Sequence, residues 1–170
     1  MHPAEIESVL RGITVLVDTR EQETPSLRRR LKETGFPFKR QKLEFGDYSA
    51  TVLLPNEKQK DFSSEFAVER KMSLDELCQC YCRGRDRFRR EFERAKKSGA
   101  KLYLLIENGS FEKILSGRYR SRMNREALLS SLFAWLARYD CQILFCNAEH
   151  SGRILREILY REVKERLEAM

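Results

Sequence analysis

The stretch Phe62-Ser63-Ser64-Glu65-Phe66-Ala67-Val68-Glu69-Arg70-Lys71 alternates as a β-strand does. Phe62, Phe66 and Val68 fall at even positions, and Ser63, Glu65, Ala67, Glu69 and Lys71 at odd ones. Side chains two residues apart on a strand point to the same face. Glu69 and Lys71 are therefore expected side by side, opposite the apolar face. Upstream, Gly46-Asp47 marks a turn that can bring a second acid to the same place. Carboxylate oxygens suit a hard divalent cation, which usually keeps several waters and is held by one or two carboxylates. Such an ion activates water and offsets charge on a phosphate. A lysine beside it is a point charge able to orient that water or hold a phosphate oxygen. The residue types point to metal-dependent cleavage of DNA phosphodiesters.

Outward from this stretch, strands and helices alternate. Residues 13–17 are a continuous apolar run followed by Asp18, the pattern of a buried strand with an acid at its carboxyl end. Thr24 can cap a helix and Pro25 suits its first turn; the helix carries Leu27 and Leu31 and stops at Gly35. Residues 36–43, 48–54 and 62–71 read as strands, with turns at Gly46-Asp47 and over 55–61. Ser73 and Glu76 form a capping box for a helix carrying Leu74, Leu77 and Tyr81. A strongly basic helix follows over 85–97, with Phe88, Phe92 and Ala95 facing inward. Residues 102–106 are another buried strand, ending at Glu107. Ser110 caps a short helix closing at Gly117, and Asn124 starts a helix expected to be buried on most sides. Residues 143–146 are the last strand and 151–170 the last helix. Strands separated by helices argue for an α/β fold, and the consecutive middle strands make its central sheet mixed. One domain is expected over residues 1–170, with a core over 13–147 and a terminal helix over 151–170.

At 170 residues and 41% hydrophobic content, the chain has material for a full core. Its net charge of +7 favours a polyanionic partner. No apolar run approaches the length of a membrane span and the amino terminus lacks a signal-peptide pattern. No membrane partner is therefore expected, and the expected location is cytoplasmic. Cys78, Cys80 and Cys82 alternate, which on a helix makes them diverge, and paired Cys-x-x-Cys spacing is missing. Reduced, partly buried thiols are expected rather than a zinc site or disulfides.

Ligand sites in such sheets favour the carboxyl ends of strands, where Asp18, Glu69 and Glu107 fall. Asp18, Asp47 and Glu69 are the candidate metal ligands. Each alone reads as an ordinary strand-end carboxylate; three together beside Lys71 make a site. Arg70, pointing away from Glu69 and Lys71, is either a structural ion pair or a catalytic group. Asp75 either steadies Lys71 or stabilises the start of its helix through the dipole. Arg83, Arg87 and Arg90 follow helical spacing and form a candidate phosphate-contacting ridge. Arg118, Tyr119, Arg120 and Arg122 form a second basic segment in which a ring can stack on an exposed base. A solvated face is the plainer reading of either. Neither His2 nor His150 reads as catalytic. The apolar stripe of the last helix reads as core, and its length also makes it a place for a dimer contact.

Taken together, Val17-Asp18-Thr19-Arg20-Glu21, Gly46-Asp47-Tyr48 and Val68-Glu69-Arg70-Lys71 through Asp75 resemble the signature of the XPF-type nuclease domain. That signature is a V-D-x-R-E strand end, then G-D, a spacer and E-R-K-x-x-x-D. The resemblance spans residues 13–147, and Arg83-Gly84-Arg85 and Leu105-Ile106-Glu107-Asn108 also look like family features. It implies a restriction-endonuclease-like fold with a mixed central sheet flanked by helices. It further implies a magnesium- or manganese-dependent endonuclease that cuts branched DNA such as flaps and forks, works as a homodimer or heterodimer, and needs no small-molecule cofactor. Carried over by position, Asp18, Asp47 and Glu69 hold the metal and Lys71 serves the attacking water. Arg20, Glu21, Arg70 and Asp75 support the site. Neither the helix-hairpin-helix module nor the helicase domain of the best-known members is expected here. The family also contains degenerate members, so a non-catalytic DNA-binding or dimer-partner subunit is the alternative. Such members lose motif acids, and this chain has lost none. A restriction-type nuclease acting on plain duplex is a third reading.

Overall fold

A computed structural model describes all 170 residues. The chain opens with α1 (Pro3–Arg11), β1 (Thr14–Val17), α2 (Pro25–Thr34), β2 (Phe38–Arg40), β3 (Tyr48–Leu53), β4 (Gln59–Asp61) and β5 (Phe66–Lys71). It continues through α3 (Leu74–Cys82), α4 (Arg85–Lys97), β6 (Lys101–Glu107), α5 (Phe111–Leu115), α6 (Arg125–Tyr139), β7 (Gln142–Cys146) and α7 (Ser151–Glu168). The mixed sheet has seven strands in the order β2-β1-β3-β5-β6-β7, with β4 paired to β3. The pairs β1–β2, β5–β6 and β6–β7 are parallel, whereas β3 runs antiparallel to β1, β4 and β5. Expectation and structure agree on a mixed α/β sheet flanked by helices.

Helices cover both faces. Ile6, Val9 and Leu10 of α1, Leu27 and Leu31 of α2, and Leu155, Leu159, Val163 and Leu167 of α7 pack on one side of the sheet. Leu74 and Leu77 of α3, Phe88 and Phe92 of α4, Ile114 of α5, and Leu128, Leu132 and Trp135 of α6 pack on the other. Trp135 is fully buried among Tyr81, Phe88 and Phe92, at ring distances of 5.0, 5.8 and 6.3 Å. Truncating such a core aromatic costs about 3–5 kcal/mol, so this cluster fixes α3, α4 and α6 to one another. The core is wider than residues 13–147, because α1 and α7 both contribute to it. The stripe of α7 is interior and not a surface for a second chain. No helix is long and apolar enough to cross a membrane.

Local signals set most boundaries. Thr24 Oγ1 accepts from the Leu27 N–H at 3.1 Å, Pro25 opens α2, and Gly35 closes it with a left-handed backbone. Four expectations need correction. The strand expected from residue 62 begins at Phe66; Phe62 to Glu65 form a turn closed by bonds from the Glu65 and Phe66 N–H groups to the Phe62 carbonyl. The polar stretch 55–61 is not all turn, since Gln59–Asp61 pairs with β3 as an edge strand. At α3, Ser73 accepts from the Glu76 N–H, but Glu76 Oε2 takes the Met72 N–H at 2.6 Å instead of closing the box. Finally, α6 is not buried all round: Phe133 is 52% exposed.

Candidate active site

β5 is buried along both faces because helices cover the sheet on either side. Its odd face carries Glu69 and Lys71 under α3 and α4, and Lys71 Nζ donates to Glu69 Oε1 at 2.5 Å. The Lys71 ammonium also lies 5.0 Å from the centre of the Phe88 ring. Burial opposes charge on Lys71, but its acidic neighbours, Glu69 foremost and Asp47 among them, together outweigh it and raise the pKa, so the ammonium stays charged. Glu69 Oε2 is buried with no hydrogen-bond partner.

Asp47 reaches the same place from the turn before β3. The β3–β5 ladder contains one residue pair, Tyr48 with Val68. Next to it, the Asp47 N–H donates to the Val68 carbonyl, and the Arg70 N–H donates to Asp47 Oδ2, each at 2.8 Å. A side-chain oxygen thus stands where a ladder acceptor would, which holds the carboxylate against β5. Gly46 makes this approach achievable. Its φ is +72°, and a Cβ there would lie 2.7 Å from Ala67 Cβ. Burial, with Glu69 and then Glu21 nearby, raises the Asp47 pKa well above the ordinary carboxylate value. Burial also raises Glu69 to about 7, Lys71 opposing and Glu91 adding to the effect.

A cleft of about 370 Å³ opens over these groups, lined also by Arg20, Glu21, Arg70, Arg87 and Glu91. Arg20 is clamped: its Nε donates to Asp18 Oδ1 at 2.6 Å and its Nη2 to Glu91 Oε1 at 3.3 Å. Asp18 itself departs from the expected ligand set. It is fully buried, Oδ2 accepts from the Leu43 N–H at 2.7 Å, and Oδ1 is taken by Arg20. Burial alone would raise its pKa, but these donors lower it. Asp18 positions Arg20 and does not line the cleft.

Arg70 resolves toward the ion-pair reading, with its guanidinium gripping Glu107 through two bonds of 2.8 and 2.7 Å. Glu107 is shared with Arg30 on α2, whose Nη1 donates to Tyr48 Oη at 2.9 Å. Tyr48 in turn donates to Glu21 Oε2 at 2.9 Å, so Glu21 is held from the sheet interior. Asp75 does not touch Lys71; its Oδ1 accepts the N–H groups of Arg120 and Ser121 at 2.8 and 2.7 Å. Arg83, Arg87, Arg90, Arg118 and Arg120 are exposed. Arg87 lines the cleft, Arg83 and Arg120 line a neighbouring groove, and Arg118 donates to Ser116 Oγ at 2.9 Å. All five cysteines are free thiols, as expected. Cys80 lines the cleft.

Two residues were missed, Glu91 and Arg30, although a signal existed for both. Glu91 shares the inner face of α4 with Phe88, Phe92 and Ala95, and Arg30 shares that of α2 with Leu27, Leu31 and Thr34. A charge at an inward helical position needs a partner. Glu91 Oε1 takes both the Gly46 N–H at 3.1 Å and Arg20.

No three His, Cys, Asp or Glu side chains form a ready-made metal cage. The donor set nevertheless suits a hard divalent cation, which needs only one or two carboxylates and keeps its waters. Glu69 adds to the cost of ionising Asp47, and the unpartnered Glu69 Oε2 has no protein donor to satisfy it. A cation supplies what both lack.

The ERCC4 domain family matches residues 17–158. Among solved structures, XPF from Aeropyrum pernix is similar at 20% identity and a TM-score of 0.61, over 85% of this chain and 64% of that one. XPF from Aeropyrum pernix in complex with DNA is similar at 21% identity and a TM-score of 0.61, over 89% of this chain and 65% of that one. The chain therefore spans just under two thirds of the length of these structures, and the likeness is one of fold. No curated protein sequence matches. With the family matched across both acids, the lysine and the strands β2 to β7, this chain belongs to the ERCC4 domain family.

Proposed function

We propose that the chain is a magnesium- or manganese-dependent endodeoxyribonuclease that cuts branched DNA such as flaps or forks. One observation carries the reading. An unpartnered carboxylate oxygen of Glu69 lies with Asp47 on the floor of an arginine-rimmed cleft, beside a lysine kept charged by its neighbour. Asp47 and Glu69 would hold the cation, with Glu21, Glu76 and Glu91 the other acids of that cleft. When bound, the cation favours the deprotonated form of an attacking water and offsets charge on the phosphate. Lys71 orients the water or holds a phosphate oxygen. Arg20, fixed by Asp18 and Glu91, and Arg87 at the rim grip the phosphates of the scissile strand. The fold likeness to a protein solved with DNA supports a DNA substrate. For a homodimer or heterodimer, the surface available is the exposed patch of Phe111, Leu115 and Phe133 on α5 and α6.

The test is incision of end-labelled flap, fork and linear duplex DNA with manganese or magnesium, against a chelator and against Asp47→Ala. Metal-dependent cutting near the branch by the wild type alone is expected. Binding without cutting in either metal would assign the chain to the partner-subunit role, and cutting of linear duplex at defined sites would assign it to the restriction type.

A further inference from the structure

Beside the catalytic cleft lies a second groove of about 890 Å³, and Gln79 lines both. Arg83, Arg120 and Arg122 edge it, while Met72, Cys82 and Met123 supply apolar surface. Met72, the residue after Lys71, is 57% exposed although methionine gains by burial. None of the three arginines is in an ion pair, whereas Arg89 on α4 is bridged to Asp86 and Glu93. The far wall is built rather than loose. Asp75 pins it through the Arg120 and Ser121 N–H groups, and Tyr119 Oη donates to the Met123 carbonyl at 2.9 Å.

We infer that this groove binds an unpaired DNA strand leaving the catalytic cleft. A duplex keeps its bases stacked inside and offers a protein mainly phosphates and base edges, which gives an exposed apolar floor nothing to cover. An unpaired strand presents both parts, phosphates for the arginines and base faces for the thioether surface and the guanidinium planes. In this arrangement Asp75 is a positioning residue. Its oxygen holds the arginine loop, and its charge has no part in the chemistry at Lys71. The inference deepens the nuclease reading by placing one arm of a junction, but the groove binds a free single strand whether or not the cleft cuts.

The experiment is fluorescence anisotropy of labelled oligothymidylate with chelator present, so that cleavage does not enter. Arg120→Ala with Arg122→Ala should weaken binding about ten-fold and lower the salt slope by about 1.4, the loss of two single-strand phosphate contacts. Asp75→Asn, which keeps an acceptor oxygen, should bind like wild type, and Asp75→Ala should bind like the double arginine variant. Unchanged affinity and slope in the double variant would overturn the inference, as would equal losses in Asp75→Asn and Asp75→Ala. Because incision is measured separately, a chain that binds in this pattern but never cuts keeps the groove and loses the nuclease reading.

Discussion

Burying Asp47 and Glu69 together makes the metal-free protein less stable than it could be, and the sign of that effect is testable. Both carboxyls have folded pKa values above the ordinary range, Glu69 at about 7. Their contribution to stability is present below the ordinary carboxylate values and is lost as pH rises through the raised ones. Metal-free wild type should therefore melt lower at pH 8 than at pH 5.5. Glu69→Gln should flatten that trend and lose cleavage by about a thousand-fold or more, while leaving the buried Lys71 ammonium without its carboxylate partner. Calorimetry beside single-turnover assays decides it; a variant that neither flattens the pH trend nor loses turnover would remove Glu69 from the metal site. Glu107 behaves oppositely. Burial raises its pKa, but the Arg70 fork and Ser151 more than offset that and hold it below the ordinary 4.5. That stabilisation is present above the ordinary value and is lost as pH falls through the depressed one. Glu107→Gln should accordingly cost about 3–5 kcal/mol at pH 7 by leaving Arg30 buried beside a neutral group. The melting temperature at pH 7, compared with pH 4, reports it.

Among the elements, legibility tracked how local the cause was. Caps such as Thr24, Ser110 and Asn124 act on N–H groups two or three residues away, so residue identity announces them. The β4 edge strand had no such signal: Gln59, Lys60 and Asp61 are polar, and only the register against Thr51 to Leu53 makes them a strand. Glu69 and Lys71 were placed together by periodicity alone, whereas the engagement of Asp18 by Leu43 depends on a loop 25 residues away. The same gap hid the role of Asp75, set by a loop 45 residues on. For α4, removing two exposed cations, of which Arg87 lines the cleft, tests its purpose. Arg87→Ala with Arg90→Ala should weaken duplex binding on every sequence and lower the salt slope by about 1.8. An unchanged slope in a titration from low to moderate salt would return α4 to a solvated face. At the β3 turn, Gly46→Ala should cost about 1–3 kcal/mol from its positive φ and the Ala67 contact. It should also reduce cleavage, because Asp47 moves with the backbone; thermal melts and incision rates would separate the two effects.

Across the whole molecule, the three-layer plan brings the acids from the turn before β3 and from β5, while α3 and α4 roof them. The resemblance in the sequence reached the plan, but it could not reach the surface patch of Phe111, Leu115 and Phe133, whose exposure depends on where α5 and α6 dock. Sedimentation should show self-association that Leu115→Glu and Phe133→Glu together abolish. A monomeric wild type at high concentration would exclude the homodimer.

The bond from the Arg70 amide to Asp47 Oδ2 gives the molecule a built-in reporter. That amide belongs to a central strand, yet its acceptor is one of the atoms proposed to face the cation. Its nuclear magnetic resonance frequency would move when a cation or a proton arrives at Asp47, with no substrate in the tube. One peak in a spectrum would thus give the occupancy of the site, its affinity for each metal and its protonation, all before a strand of DNA is cut.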